Sequence, residues 1–192
     1  MNVARQKLIN TVLYFTQNTK HTNLTKLMKL LNFFEFEHFN QTGYPSIGLE
    51  YFAFQNGPVP KALWVELKDG IVPDDFKDKI ILRENDIQGR KELEILSKKS
   101  VNVDFSIFSP REKKILENLV FIYQNETAAT MSDISHEENR PWEITYNKSG
   151  KNSKIDYLLA LGDDSLITRE EAEENLKDHQ FLSSQFNIKP TL

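Results

Sequence analysis

The chain has 192 residues and a net charge of −4, with 39% hydrophobic and 27% charged residues. This composition excludes collagen-like, low-complexity and wholly disordered proteins, and the absence of cysteine excludes disulfide frameworks, thiolate nucleophiles and zinc ribbons. The sequence begins without the apolar core of a signal peptide, and no stretch approaches the roughly 18 apolar residues of a membrane span. We therefore expect a cytoplasmic globular protein that does not enter a membrane.

The charge is unevenly distributed along the chain. Residues 1–68 contain 7 Lys or Arg and 4 Asp or Glu, whereas residues 69–192 contain 17 and 24. A mildly basic first third leaves nucleic-acid contact open as an alternative. The negative net charge of the whole chain does not favour nucleic-acid binding, because neutralisation of phosphates by positive side chains dominates nucleic-acid affinity.

Two helices are predicted near the start of the sequence. The first covers residues 3–18, where apolar side chains recur at helical spacing. The second begins after a candidate N-cap, Thr22 or Asn23, and ends near Gly43. Phenylalanines lie all round it between Phe33 and Phe39, so we expect it to be central in the core or covered by a partner.

A strand, an irregular turn and a third helix are predicted next. Residues 49–54 are rich in aromatic side chains and lie between two glycines, which is typical of a short strand. We expect residues 57–60, Gly-Pro-Val-Pro, to be irregular, because proline fixes its own φ and restricts the residue before it. Pro60 then opens a helix that ends near Gly70.

The second half of the chain predicts a small sheet followed by helices. Short alternating runs at 80–83, 92–96 and 100–105 predict two or three antiparallel strands. Helices are then predicted over 110–125, over 130–136, from Pro141, and from Thr168 onward. Ser109 and Thr168 each precede a Glu by three residues, which predicts a capping box.

These elements predict an α+β fold that is predominantly α-helical, with a small antiparallel β-sheet. The apolar run at residues 155–161 is expected to close the compact unit. We therefore divide the chain into a domain of residues 1–162 and a C-terminal helical extension of residues 163–192.

Residues with catalytic or metal-binding potential are few. The triplet His136-Glu137-Glu138 is similar to the start of a zinc-protease helix, but Arg140 stands where the second histidine would be required. The other three histidines are isolated, and the acidic pairs lie near turns or helix starts. The sequence contains no phosphate-binding loop or dinucleotide fingerprint. We predict no catalytic residue, no metal and no cofactor.

Several short motifs follow one another in a characteristic order. They are Leu27–Phe34, Thr42-Gly43, Tyr51, Gly57-Pro58-Val59-Pro60, Leu67-Lys68-Asp69-Gly70, Leu116–Tyr123, Ser132–His136 and Trp142. Taken together, these motifs resemble the Panacea domain, the SocA-like antitoxin domain of bacteria and their phages, over about residues 5–162. The resemblance implies a non-enzymatic antitoxin that neutralises a cognate toxin by protein–protein contact, with a protease or chaperone as a further partner. We interpret Gly57, Pro58, Val59, Pro60, His136 and Trp142 as structural.

We predict the toxin-contacting surface at the corner between the strand and the third helix, within residues 50–64. Its glycine and prolines make the backbone stiff, so little entropy is lost when a partner docks. The side chains there are the aromatic and polar types found at binding hot spots. The candidates are Tyr51, Phe52, Gln55, Asn56, Lys61 and Trp64. Alternate strand residues face opposite sides, so part of this set must face the core.

Two alternatives from other functional classes remain open at this point. A DNA-associated regulator of a phage or mobile element would use the basic first third. A hydrolase would use His136 and Glu137 as an acid–base pair. Salt-dependent binding to its own promoter would favour the first. Residues within hydrogen-bond reach in a cleft would favour the second.

Overall fold

The computed structural model describes residues 2–87, 89–136 and 140–186. These residues form seven α-helices and four β-strands. The helices are α1 (Val3–Asn18), α2 (Leu24–Thr42), α3 (Lys61–Leu67), α4 (Pro110–Tyr123), α5 (Ala128–Ser135), α6 (Pro141–Ser149) and α7 (Arg169–Phe186). The strands are β1 (Tyr51–Phe54), β2 (Gly57–Pro60), β3 (Ile80–Ile87) and β4 (Arg90–Ser97), paired as two antiparallel hairpins. The predicted α+β, mainly helical fold class is confirmed.

Helix α2 is the centre of the molecule. It contacts α1, α4, α5 and the β1–β2 hairpin. Between Lys26 and Asn40 every residue of α2 is buried except Phe33, which is half-buried, and Glu37, which is exposed. The aromatic side chains around this helix therefore fill the core, and the central placement predicted from the sequence is confirmed.

The predicted helix caps are present. The Asn23 side chain accepts a hydrogen bond from the backbone N–H of Lys26 at 2.8 Å at the start of α2. At α4 the Ser109 hydroxyl accepts from the backbone of Glu112, whose carboxylate accepts from the backbone of Ser109. Thr168 and Glu171 form the same reciprocal pair at α7. Both capping boxes are confirmed.

A buried carboxylate fixes the loop that leads into β1. The two oxygens of Glu35 on α2 accept hydrogen bonds from four consecutive backbone N–H groups, those of Ser46, Ile47, Gly48 and Leu49, at 2.8–3.2 Å. These four donors occupy the acceptor sites of the carboxylate and oppose, in part, the burial that raises the pKa of Glu35. This contact ties the hairpin that follows to the central helix.

The prediction that residues 57–60 are irregular is wrong, because they form strand β2. Tyr51 lies opposite Pro60 and Ala53 opposite Pro58. The backbone groups of Tyr51 and Ala53 bond instead to segment 152–155 on the other side of β1. Pro58 and Pro60 therefore stand at positions of β2 where no backbone N–H is required to bond β1. Proline, which has no N–H, is compatible with the strand there.

The second hairpin also differs from its prediction. β3 and β4 are each eight residues long and include most of residues 84–91, which lie between the runs predicted at 80–83 and 92–96. Gly89 lies in the turn with φ +79. The third expected strand at 100–105 is absent among the described residues. That segment is an extended connection that enters a short 3-10 turn at Phe105–Ile107.

Helix α7 packs against the end of α2 through its first half. Ala172 is fully buried against Gly43, and the Asn175 side chain donates a hydrogen bond to the Thr42 carbonyl at 2.9 Å. Further along, Phe181 and Leu182 are exposed. The division of the chain after residue 162 stays a prediction.

In the described ranges, no helix is both long and apolar enough to cross a membrane. The same ranges contain no group of three or more His, Asp or Glu side chains arranged to hold a metal ion.

Candidate functional site

The predicted corner is a hairpin tip followed directly by a helix. β1 and β2 are joined by the two-residue turn Gln55-Asn56, and α3 begins one residue after β2 ends. The side chains of Gln55, Asn56 and Lys61 are exposed, while those of Phe52 and Trp64 are half-buried. These five side chains share one outer face, which we call the corner surface.

Tyr51 does not belong to the corner surface. Its side chain is fully buried, and its ring packs edge-on against Phe36 of α2 with the centroids 5.4 Å apart. Strand alternation explains this, because Phe52 points outward and its neighbours must point inward. The prediction of Tyr51 as a toxin-contacting residue is wrong.

Aromatic rings and ammonium groups alternate across the corner surface and its edge. The Lys61 ammonium lies 5.4 Å from the ring centroid of Phe52, and the Lys68 ammonium 5.5 Å from that of Trp64. The Trp64 ring also packs edge-on against Phe54 at 5.6 Å. Such cation–π contacts hold long lysine side chains over apolar surface and limit their rotamer freedom. The corner surface thus combines apolar ring area with the positive charge of Lys61.

Beneath the turn lies a second group of side chains, which we call the lysine–histidine cluster: Lys29, Gly57, Ser135, His136 and Trp142. Gly57 has φ +109, and a Cβ built on it would lie 1.7 Å from the Lys29 ammonium nitrogen. Any other residue at position 57 would collide with Lys29 and also strain the backbone. The sequence needs glycine here because a lysine fills the space below it.

His136 and Trp142 are the two aromatic members of this cluster. Their rings stack with centroids 3.9 Å apart, and the Trp142 Nε1 donates a hydrogen bond to the Phe54 carbonyl at 2.8 Å. Trp142 therefore hydrogen-bonds to the last residue of β1. The His136 Nε2 is buried next to Gly57 and has no hydrogen-bond partner in the part of the chain that the structure describes.

Burial sets the protonation of both basic groups in the cluster. Desolvation lowers the pKa of Lys29 from 10.5 to about 7, and no neighbouring acid opposes this shift. Burial also lowers the pKa of His136, and the charge of Lys29 lowers it further. The Asn56 carbonyl and Asp133 oppose the shift of His136 only in part. Among the described residues, two basic groups therefore share one enclosed space without a buried acid.

Sequence reasoning missed Lys29 as a site residue. It lies within the motif that carries the family resemblance, but it was treated there only as part of a helix. A lysine inside the otherwise apolar run from Leu27 to Leu31 was the available signal, since lysine is almost never fully buried unless paired. His136 and Trp142 come from other motifs of the resemblance, and the fold brings all three together.

A groove of about 590 Å³ adjoins the cluster. It runs between α2 and α4 and ends at Ser135 and Trp142. Its walls include Phe33 and Tyr123, whose rings stack at 5.2 Å, and its rim includes the exposed Asn118. The groove and the corner surface thus lie on either side of the same buried cluster.

The basic first third of the chain does not form a basic surface. Lys26 and Lys29 are fully buried. Arg5 and Lys7 are held by carboxylates at 2.6 and 2.5 Å. Four of the seven Lys and Arg residues in 1–68 are therefore enclosed or neutralised. These four positive charges are not free to contact phosphates, so the nucleic-acid alternative loses its main support.

The hydrolase alternative also lacks support. The Nε2 of His136 is buried below Gly57. Its proposed partner Glu137 lies outside the described residues. The described residues therefore do not show the acid–base pair within hydrogen-bond distance that this alternative requires.

Comparison with known proteins identifies the domain. The model of the family described as antitoxin SocA-like, Panacea domain, matches residues 27–143, which is more than half of the chain and includes Lys29, Gly57, His136 and Trp142. No curated protein and no solved structure matches the chain significantly. The chain belongs to the SocA-like antitoxin family of Panacea domains.

Proposed function

We propose that this protein is the antitoxin of a toxin–antitoxin pair and neutralises its cognate toxin by direct, non-enzymatic contact through the corner surface. The family supports the antitoxin role. The observation that favours the corner is its combination of exposed polar side chains with ordered aromatic–lysine pairs on a stiff hairpin.

The chemistry of the corner surface points to the kind of toxin surface it fits. Phe52 and Trp64 offer apolar area, and the ammonium of Lys61 lies at the start of α3 in no ion pair among the described residues. Lys151 lies beside the tip and donates to the Gln55 side chain at 3.4 Å. The complementary toxin surface is an apolar patch bordered by Asp or Glu side chains.

Two substitutions of exposed side chains test this proposal, a charge reversal at Lys61 and an increase in side-chain size at Gln55. Lys61→Glu and Gln55→Arg change exposed side chains, so we expect thermal unfolding to stay within about 0.5 kcal/mol of the parent. Neutralisation should weaken in a growth assay in which the antitoxin is co-expressed with the toxin from the adjacent gene. Lys61→Glu should show the larger effect, because it places a negative charge against the acidic border of the toxin patch.

Two control variants make the test specific. Lys177→Glu makes the same charge change on an exposed position of α7, and it should neutralise normally. Asn118→Arg places a large side chain at the rim of the groove on α4. If both corner variants neutralise like the parent while Asn118→Arg fails, the groove is the interface and the corner proposal is wrong.

A further inference from the structure

We infer that Lys29 is the positioning residue of the corner surface: its buried ammonium group holds the Gln55–Asn56 turn in the shape that the toxin contacts. This inference rests on the proposed function, since it assigns a role within the same surface. Lys29 itself lies below the turn and touches no partner.

The geometry of the turn carries the argument. The Lys29 ammonium donates a hydrogen bond to the Asn56 carbonyl at 2.5 Å, and it fills the space directly below Gly57. The Asn56 carbonyl is therefore directed inward, and the side chains of Gln55 and Asn56 are directed outward. The Lys29 ammonium thereby contacts Asn56 of the tip and the glycine that follows, and the His136 ring lies beside the same carbonyl.

The surroundings of Lys29 are poorly suited to a purely structural role. Among the described residues its ammonium has one hydrogen-bond acceptor and no ion pair, although the side chain is only 1% exposed. Where the structure describes the chain, the charged or titratable groups around the cluster are His136 and, beyond it, Asp133. A buried cation with one acceptor costs stability that a methionine of similar length would not. An arrangement that lowers stability and shapes an exposed turn is typical of a functional site.

Partner-free measurements on Lys29→Met test the positioning role. Methionine fills the stem of the side chain and leaves out the ammonium group. At pH 6 we expect the midpoint of thermal unfolding to rise. We expect amide hydrogen exchange to become faster at residues 55–57 and unchanged in α1 and α4. Exchange at residues 55–57 equal to that of the parent would overturn the inference, as would faster exchange across the whole domain.

Toxin binding provides the second measurement. We expect the dissociation constant of Lys29→Met for the toxin to rise by about tenfold, which corresponds to the loss of one interface contact. A merely structural lysine would lower the thermal midpoint and the affinity together, and that result would contradict the inference. Unchanged affinity alongside faster exchange of the tip would also contradict it.

Two variants separate a failure of the positioning role of Lys29 from a failure of the proposed function. If Lys61→Glu leaves toxin affinity unchanged, the corner is not the interface, and the proposed function fails whatever Lys29→Met does. If Lys61→Glu weakens binding and Lys29→Met does not, only the positioning role fails. Should Lys29→Met not fold, the protection factors of the parent at residues 55–57 decide. The turn must be protected from exchange, and exchange there at the rate of an unprotected exposed loop would overturn the inference.

Discussion

Lys26 and Lys29 lie one turn apart on α2 and are equally buried, but their surroundings differ. The Lys26 ammonium donates to three backbone carbonyls, those of Lys20, Gln124 and Glu126, at 2.7–3.3 Å. The Lys29 ammonium donates to one carbonyl, that of Asn56, in the described structure. Burial lowers the pKa of both lysines, and for Lys29 the value falls to about 7.

The difference separates a structural lysine from a functional one. Lys26 joins the end of α4 to the loop before α2, and its three acceptors use all its N–H donors. Within the described part of the chain, Lys29 donates one hydrogen bond and faces another basic group, His136. A buried charge whose hydrogen bonds are all made indicates a residue that stabilises the fold. A buried charge with few hydrogen bonds lowers stability, and this indicates a residue kept for function.

The largest expected effect concerns a third buried charge on the same helix. Glu35 is saturated by four backbone N–H groups, so Glu35→Ala leaves four buried donors without an acceptor. We expect a loss of about 3–5 kcal/mol in the free energy of unfolding, measured by urea denaturation. Glu37→Ala removes an exposed carboxylate from the same helix and should change stability by less than about 0.5 kcal/mol. Equal losses in the two variants would show that the hydrogen bonds to Glu35 do not stabilise the fold.

The two lysines should respond to the same substitution with opposite signs. Lys26→Met leaves three carbonyls without their donor, and we expect it to lower the free energy of unfolding by about 2 kcal/mol. Lys29→Met removes an uncompensated buried charge, and we expect a gain of about 1–3 kcal/mol at pH 6. Urea denaturation of both variants beside the parent measures this directly. If both variants lose stability, Lys26 and Lys29 do not differ in what they contribute to the fold.

The pH dependence sharpens the comparison further. Lys29 has a pKa of about 7 in the fold and 10.5 as its ordinary value. Between these values the unfolded chain binds the proton that the folded chain lacks, so the contribution of Lys29 to stability increases as pH rises. The advantage of Lys29→Met over the parent should therefore shrink above pH 7, by up to about 1.4 kcal/mol per pH unit. If denaturation between pH 7 and 9 gives a constant difference, Lys29 is not neutral in the fold at pH 9.

The smallest expected effects concern the two capping boxes. Ser109→Ala removes the cap of α4, whose partner Glu112 is buried and also bonds Lys7 and Ser46, and should cost about 1–2 kcal/mol. Thr168→Ala removes the exposed cap of α7 and should cost about 0.5 kcal/mol. Thermal unfolding compares the two, and a larger effect at Thr168 would show that α7 is more closely coupled to the core than its exposed second half indicates.

Local signals in the sequence predicted the helices well and the tertiary contacts poorly. Apolar spacing and caps such as Asn23 and Ser109 are local, so helix positions follow from them. The strand at residues 57–60 was not predictable, because its prolines are tolerated only where β1 bonds to segment 152–155, which is distant in sequence. The burial of Tyr51 and the clustering of Lys29 with His136 depend in the same way on how distant elements pack.

The most direct test of the corner surface is hydrogen–deuterium exchange of the protein alone and in complex with its toxin. We expect complex formation to slow exchange at residues 52–64, with the strongest protection at the Gln55–Asn56 turn and the start of α3. Exchange along α7 should not change. Protection confined to the groove between α2 and α4, with the corner exchanging as in the free protein, would contradict this account.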